Sequence, residues 1–374
     1  MIPYSRQEIN ADDIAAVVSA LQDDILTGGN KVAAFEQKIA DYLGVKYCIA
    51  VSSGTAALHT AYAVAGISEG DEVITTPLSF VATSNAALYV GAIPKFVDIN
   101  FDGNINVSKI EAAISDKTKA IVPVDYAGKP VDIRSIMQIA KKHNLVVIED
   151  AAHAFGSKFD DTFVGQSADI TTFSFHPVKP FTTLEGGALV TNDKDYYEQA
   201  LRFRSHGIVK KNVWNMDMVE LGYNYRLSDV ACALGMSQLN KLEHFIEKRN
   251  EIAAFYDEYF EKNPYFISLK LSKSLRSSRH LYPIILDRSM WCPKEDIFEA
   301  CKAAGIGVQV HYRPIYQNSY YVKKFGKMRL STCEDFYLAV LALPCHQGMS
   351  LDDAKMLADT FLALLEPYKL GCKY

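Results

Sequence analysis

Residues 174–190 read SFHPVKPFTTLEGGALV and place Lys179 between Pro177 and Pro180, just beyond the strand-like run DITTFSF. A lysine confined at a sheet edge among aromatic and proline residues loses hydration, which lowers its pKa and frees the amine as a nucleophile. Such an amine can form a Schiff base with a carbonyl compound; a solvated loop lysine is the equal alternative on this stretch alone. Two other run ends carry chemistry. Ser52-Ser53-Gly54-Thr55 follows YCIAV and opens AALHTAYAVA, where free backbone N–H groups and the helix dipole make either a phosphate cup or an ordinary helix cap. Asp150 closes LVVIED, with His153 three residues on. A carboxylate there would pair with a ligand cation such as a protonated ring nitrogen, or else cap the next helix, and His153 could hydrogen-bond the same ligand. Together, a phosphate cup, an acid for a pyridinium nitrogen and an amine for an aldehyde are the protein groups that pyridoxal 5′-phosphate demands. Phe80, in TTPLSFVATSNAA, adds an aromatic face that could stack on the ring.

Positioning these groups is the task of alternating elements. Short apolar runs at 47–51, 72–76, 93–99, 119–124, 145–150, 169–175 and 187–191 are separated by helix-like stretches at 55–66, 81–91, 108–115 and 131–143. This is the βαβ rhythm of a mostly parallel sheet with helices on both faces, whose ligands collect at the strands' carboxyl ends. Ahead of it, Ile14, Val17, Val18 and Leu21 form one apolar stripe of a helix over 10–21, and a second helix over 31–43 stops at Gly44. Long helices follow Gly222. The remainder alternates strand (280–286), helix (294–304), strand (307–312) and a final helix capped by Ser350 with Asp353 at its third position. The fold class is α/β, with a large domain over 1–245 and a small α+β domain over 246–374. Ser108 with Glu111 reads as a capping box rather than as part of the sequon Asn106-Val107-Ser108.

Composition narrows the function. The chain has 374 residues, 49% of them apolar and 22% charged, and a net charge of −5, a soluble globular profile without the basic footprint of a nucleic-acid binder. No signal-peptide pattern opens it, and its apolar runs fall short of a membrane span, so a cytoplasmic location is the default. Seven scattered cysteines, Cys48, Cys232, Cys292, Cys301, Cys333, Cys345 and Cys372, include no C-x-x-C pair. Free thiols in a reducing compartment are expected, with no cysteine-rich metal site. The glycine fingerprints of P-loops and nicotinamide folds are missing.

Longer ordered motifs add to this reading: LTGG at 26–29, SSGTAAL at 52–58, EDAAHAFGS at 149–157, the Lys179 stretch, RSHG at 204–207, NYRLSDVACALG at 224–235 and VHYRPIY at 310–316. In that order, and over nearly the whole chain, the sequence resembles the DegT/DnrJ/StrS nucleotide-sugar aminotransferases of the aspartate-aminotransferase fold, pyridoxal-phosphate fold type I. The resemblance implies that Lys179 holds the cofactor and that Asp150 partners its ring nitrogen. It implies phosphate contacts from Ser174, Gly54 and Thr55, with Phe80 and His153 flanking the ring. Asn224 would reach the phosphate of the neighbouring subunit in a homodimer with shared active sites. Tyr4, Thr27, Gly28, Arg226, His311 and Tyr312 occupy positions that resemble nucleotide-sugar contacts. The implied substrates are L-glutamate as amino donor and a UDP-linked 4-keto-6-deoxy sugar as acceptor.

The stretches VDYAGKPV at 124–131, FRSHGIVKK and HYRPIYQ resemble the branch of the family that aminates C4 of a UDP-linked 6-deoxy-N-acetylhexosamine for pseudaminic acid. Asp125 and Tyr126 stand where a histidine-containing version is common elsewhere in the family. Aminotransferases for bacillosamine-type or lipid-A-type sugars are the nearest alternatives, and a non-catalytic regulator on the same fold is a third. Sugar dehydratases of the family replace the lysine by histidine, which Lys179 argues against.

Overall fold

The computed structural model describes residues 1–272 and 274–368; Cys372 lies outside them. Helix α1 (Ala11–Leu21) starts at Asn10, whose side chain and that of Asp13 form a reciprocal capping box. Helix α2 (Asn30–Leu43) ends at Gly44 in the left-handed region, φ 69°. The chain then alternates through β1 (Tyr47–Val51), α3 (Gly54–Val64), β2 (Glu72–Thr75), α4 (Ala82–Tyr89), β3 (Ile93–Phe96), β4 (Thr118–Val122), α5 (Ile133–His143) and β5 (Val146–Asp150). A small hairpin, β6 (Lys158–Phe159) and β7 (Thr162–Phe163), precedes β8 (Ile170–Ser174), β9 (Gly187–Thr191) and α6 (Lys194–Arg204).

The main sheet has the order β1-β9-β8-β5-β4-β2-β3. Every neighbouring pair is parallel except those made by β9, which runs antiparallel to both β1 and β8. The α/β sheet expected from the sequence is therefore present. Strand period 2 divides its two faces. Ala120, Val122 and Ile148 pack under α3, whereas Ile121 and Val147 pack under α5 with Ile133 and Ile136. On that second side a separate aromatic core, Phe35, Phe155, Phe173, Phe175 and Phe181, joins α2 to the loop that carries Lys179.

Beyond the sheet come an exposed hairpin, β10 (Ile208–Lys210) and β11 (Met216–Met218), and the helices α7 (Asp229–Leu239) and α8 (Leu242–Tyr259). The C-terminal part contains β12 (Phe266–Ser268), β13 (Leu275–Arg276), β14 (Tyr282–Leu286), α9 (Lys294–Ala303), α10 (Ser319–Phe325), α11 (Ser331–Ala339), β15 (Val340–Leu343) and α12 (Leu351–Leu365). Strands β12, β14 and β15 form an antiparallel sheet, while β13 leaves it to pair with β6. The capping box of Ser350 and Asp353 opens α12 as expected.

Three local expectations are corrected. The apolar stripe of α1 does not enter the core: Ile14, Val18 and Leu21 are exposed, and the buried face carries Asp13 and Ala20. Asp13 accepts from Ser237 Oγ (2.7 Å), Gln238 Nε2 (2.7 Å) and Lys241 Nζ, so a polar network docks this helix on α7. Residues 108–115 form two 3-10 turns, Val107–Lys109 and Glu111–Ala113, because Asn106 Oδ1 accepts from both the amide and the hydroxyl of Ser108. Residues 307–312 form no continuous strand. Their pairing changes partner, Gly307 N bonding Ile2 O at 2.8 Å and Gln309 exchanging bonds with Ala342.

The strands that run parallel, β1, β2, β5 and β8, all end on one edge of the sheet. Strand β9 runs the other way and begins at that edge, with Gly187 paired to both Val51 and Ser174. A Cβ on Gly187 would lie 2.6 Å from the Ser53 carbonyl and 2.7 Å from Gly54 N. Because those atoms are backbone, Gly187→Ala is expected to destabilise the protein by about 1–3 kcal/mol, measured as a lowered denaturation midpoint. An unchanged midpoint would show that the turn at 53–54 can shift at no cost.

Candidate active site

The Lys179 loop is pinned at both ends. Phe175 N donates to Gly186 O (2.9 Å), and Phe175 O accepts from Thr182 Oγ1 (2.8 Å) and Thr183 N (3.1 Å). The rings of Phe175 and Phe181 lie 4.6 Å apart in the core, so the loop rises from two buried anchors. Within it Lys179 N bonds His176 O at 2.9 Å, and Ser5 Oγ donates to Val178 O at 2.9 Å.

Lys179 lines a cavity of about 400 Å³ at the strand ends, a volume suited to a small cofactor. Its wall includes Asp150 from the end of β5, Ser174 from the end of β8, Ser53, Gly54 and Thr55 at the start of α3, and Phe80 after β2. Tyr4, Ser79, Thr83, His153, His176, Glu185, His311 and Tyr312 add to the polar and aromatic lining. Ser53 caps α3 through Ala56 N (3.0 Å), while the first amides of a helix lack partners inside it. A Cβ on Gly54 would sit 2.8 Å from Ser174 Cβ, so the glycine allows that turn to close on the serine.

Electrostatics separate the two ends of the cavity. Asp150 is buried, which raises its pKa; the Thr83 hydroxyl, the Ala152 amide and the Lys179 ammonium oppose the rise. Thr83 Oγ1 donates to Asp150 Oδ2 at 2.6 Å and Ala152 N to Oδ1 at 3.2 Å. Ser79 Oγ lies 2.8 Å from Thr83 Oγ1 and can donate to it in turn. Burial pulls the Lys179 amine down to about 8 against the opposing Asp150 carboxylate. His311 is held near 3, first by burial and then by Lys179. His153 lies well below the ordinary histidine range, again by burial first and then by Lys179 and His311.

Ten of the residues singled out in the sequence line this one cavity: Tyr4, Gly54, Thr55, Phe80, Asp150, His153, Ser174, Lys179, His311 and Tyr312. Thr27, Gly28, Asn224 and Arg226 lie outside its wall. Thr27 is bridged to Ser228, and Arg226 is bridged to Val51 beside the Ser53 turn; Asn224 is exposed. Sequence reasoning missed Thr83, Ser79 and Glu185. A threonine three residues after Phe80 was the available signal for Thr83, but a hydroxyl in a helix start reads as capping.

A lowered amine, a carboxylate fixed across the cavity and a hydroxyl and amide cup fit an aldehyde ligand that carries a phosphate and a protonable ring nitrogen. His311 Nδ1, buried without a hydrogen-bond partner among the described residues, leaves polar capacity for a further ligand.

Comparison with known proteins supports this chemistry. Residues 7–362 match the DegT/DnrJ/EryC1/StrS aminotransferase family. The UDP-4-amino-4,6-dideoxy-N-acetyl-beta-L-altrosamine transaminase of Campylobacter jejuni subsp. jejuni serotype O:23/36 is 52% identical, over 99% of both chains. The solved Helicobacter pylori PseC, an aminotransferase involved in the biosynthesis of pseudoaminic acid, superposes with a TM-score of 0.96 at 42% identity, covering 98% of this chain and 99% of that one. The PLP form of the sugar aminotransferase Spr1654 from Streptococcus pneumoniae gives a TM-score of 0.93 at 29% identity, covering 98% and 99%. The cavity and these full-length matches agree, and the chain belongs to the DegT/DnrJ/EryC1/StrS aminotransferase family.

Proposed function

We propose that this chain is a pyridoxal-phosphate-dependent aminotransferase that moves an amino group from L-glutamate to the C4 ketone of UDP-2-acetamido-2,6-dideoxy-β-L-arabino-hex-4-ulose. The product is UDP-4-amino-4,6-dideoxy-N-acetyl-β-L-altrosamine, used for pseudaminic acid. The observation that carries this reading is the 52% identity, end to end, with a transaminase of that name, joined to a cavity in which Lys179 faces Asp150.

When bound, pyridoxal phosphate supplies an aldehyde and an electron-accepting ring. Lys179 would hold it, Asp150 would keep a proton on the ring nitrogen, Ser174 and the Gly54 and Thr55 amides would take the phosphate, and Phe80 and His153 would flank the ring. The Lys179 amine would remove the α-proton of the donor in one half-reaction and deliver a proton to the sugar's C4 in the other. Tyr4, His311 and Tyr312 face the nucleotide sugar from the cavity wall, with Thr27, Gly28 and Arg226 contributing from outside it. The large cofactor domain (1–245) and the small domain (246–374) meet within α8.

A homodimer belongs to this reading. Ile14 (59% exposed), Leu21 and Ile25 present one apolar face, and Val213 (100%) and Trp214 (81%) another at the β10–β11 hairpin. Such patches mark association surfaces, and exposed Asn224 is free to reach a second copy's phosphate. Among the described residues no helix is long and apolar enough to cross a membrane, and we place the activity in the cytoplasm.

Borohydride treatment of the loaded protein should fix the cofactor on Lys179 alone, read by peptide mass spectrometry; an adduct on another lysine would refute the assignment. Lys179→Ala should lose turnover, and Asp150→Asn should fall on the order of 10²–10⁴-fold. In the cofactor-free protein, acylation of Lys179 should rise with a midpoint near pH 8. Asp150→Asn removes the anion that favours the ammonium, so this midpoint moves to lower pH; a move upward would reverse the inferred sign. Sedimentation should give a dimer, and Trp214→Glu combined with Leu21→Glu should weaken it and lower activity in parallel.

A further inference from the structure

One buried turn fixes the direction of a hydrogen-bond chain that ends in the cavity. Ala127 N lies 3.3 Å from His153 Nδ1, and a backbone N–H can only donate. Nδ1 therefore carries a lone pair, and in a neutral ring the proton sits on Nε2. His153 Nε2 is 3.0 Å from Tyr312 Oη, so the tyrosine oxygen accepts there. Its own proton has no other protein partner among the described residues, and Tyr312 lines the cavity.

The turn is built for this. Ala127 has φ 61° and ψ 10°, a region that non-glycine residues seldom occupy and that clusters at functional sites. Asp125 Oδ1 holds it through Val131 N (2.9 Å), and Asn104 Oδ1 accepts from Tyr126 N (3.0 Å). Tyr126 Oη donates to His311 O at 2.6 Å. The same turn thus sets the tautomer of His153 and anchors the backbone that carries Tyr312. This gives a role to Asp125 and Tyr126, the pair that departs from the common version of the motif.

We infer that Tyr312 is a hydrogen-bond donor aimed into the cavity, oriented by the Asp125–Ala127 turn through His153. Its acceptor is an oxygen at the reacting end of a bound ligand, either the sugar's ketone oxygen or the ring oxygen of the cofactor. The acceptor's identity rests on the proposed transamination; the direction of the chain does not.

The direction is tested by ¹⁵N correlation spectra of histidine-labelled protein at neutral pH, without and with cofactor, the His153 signal being assigned by its loss in His153→Asn. The expected result without cofactor is a proton on Nε2 and none on Nδ1. Tyr312→Phe should keep that tautomer while displacing the Nε2 proton resonance. A proton on Nδ1, or on both nitrogens, overturns the inference. In the loaded enzyme Tyr312→Phe should lower kcat about 10²-fold, as loss of an oriented donor does, with KM changed by less than about threefold. Wild-type kcat in that variant overturns the donor role. A displaced cofactor absorption maximum before sugar is added assigns the acceptor to the ring oxygen; an unchanged spectrum with reduced kcat assigns it to the ketone. Absence of turnover by the unaltered enzyme would sink the transamination reading alone, since the tautomer is read independently of activity.

Discussion

Asp150 is a buried carboxyl whose surroundings would favour the neutral acid, yet a hydroxyl, an amide and an ammonium all favour its charge. Lys179 meets the converse pressure: burial favours the free amine, and Asp150 favours the ammonium. Both groups are held beside the same cavity: Asp150 ends a strand in the middle of the sheet, and the backbone of the lysine loop is anchored by Phe175 and Phe181. The two charges are thus poised against each other. Each neighbour that holds one in place also tunes the other.

The antiparallel strand β9 contributes through what it lacks. A residue with a side chain at position 187 would push the Ser53–Gly54 turn away from Ser174, and the cup would open. Glycine here serves close approach, which is why the Gly186-Gly187 pair stands next to the lysine loop. The one reversed strand in the sheet is therefore part of the site's construction.

Much of this was legible in the sequence, for physical reasons. Lys179, Asp150 and Ser53–Thr55 all follow apolar runs, and parallel strands bring their ends together whatever the details of packing. Proline on both sides of Lys179 signalled confinement. What could not be read depends on distant partners. Periodicity identified α1 as amphipathic but could not show that Asp13, not Ile14 or Val18, faces the protein, since that choice rests on Ser237, Gln238 and Lys241. Nor does alanine announce a left-handed backbone, so Ala127 gave no signal. The run 307–312 has strand composition, yet it divides its bonds between the N-terminal segment and β15.

The back wall of the cavity has a consequence for how the protein becomes active. Ser278 Oγ donates to His153 O across 125 residues of sequence, and Tyr126 reaches His311 across 185. A chain still emerging from synthesis would already contain Lys179, Asp150 and the turn that sets His153, but not Ser278, which holds the His153 carbonyl, nor the segment that carries Tyr312. Contacts of such separation form late and slowly. Ligands that need the finished wall bind only the completed fold, and by binding it they stabilise it. A complete cavity around the amine therefore depends on the C-terminal segments.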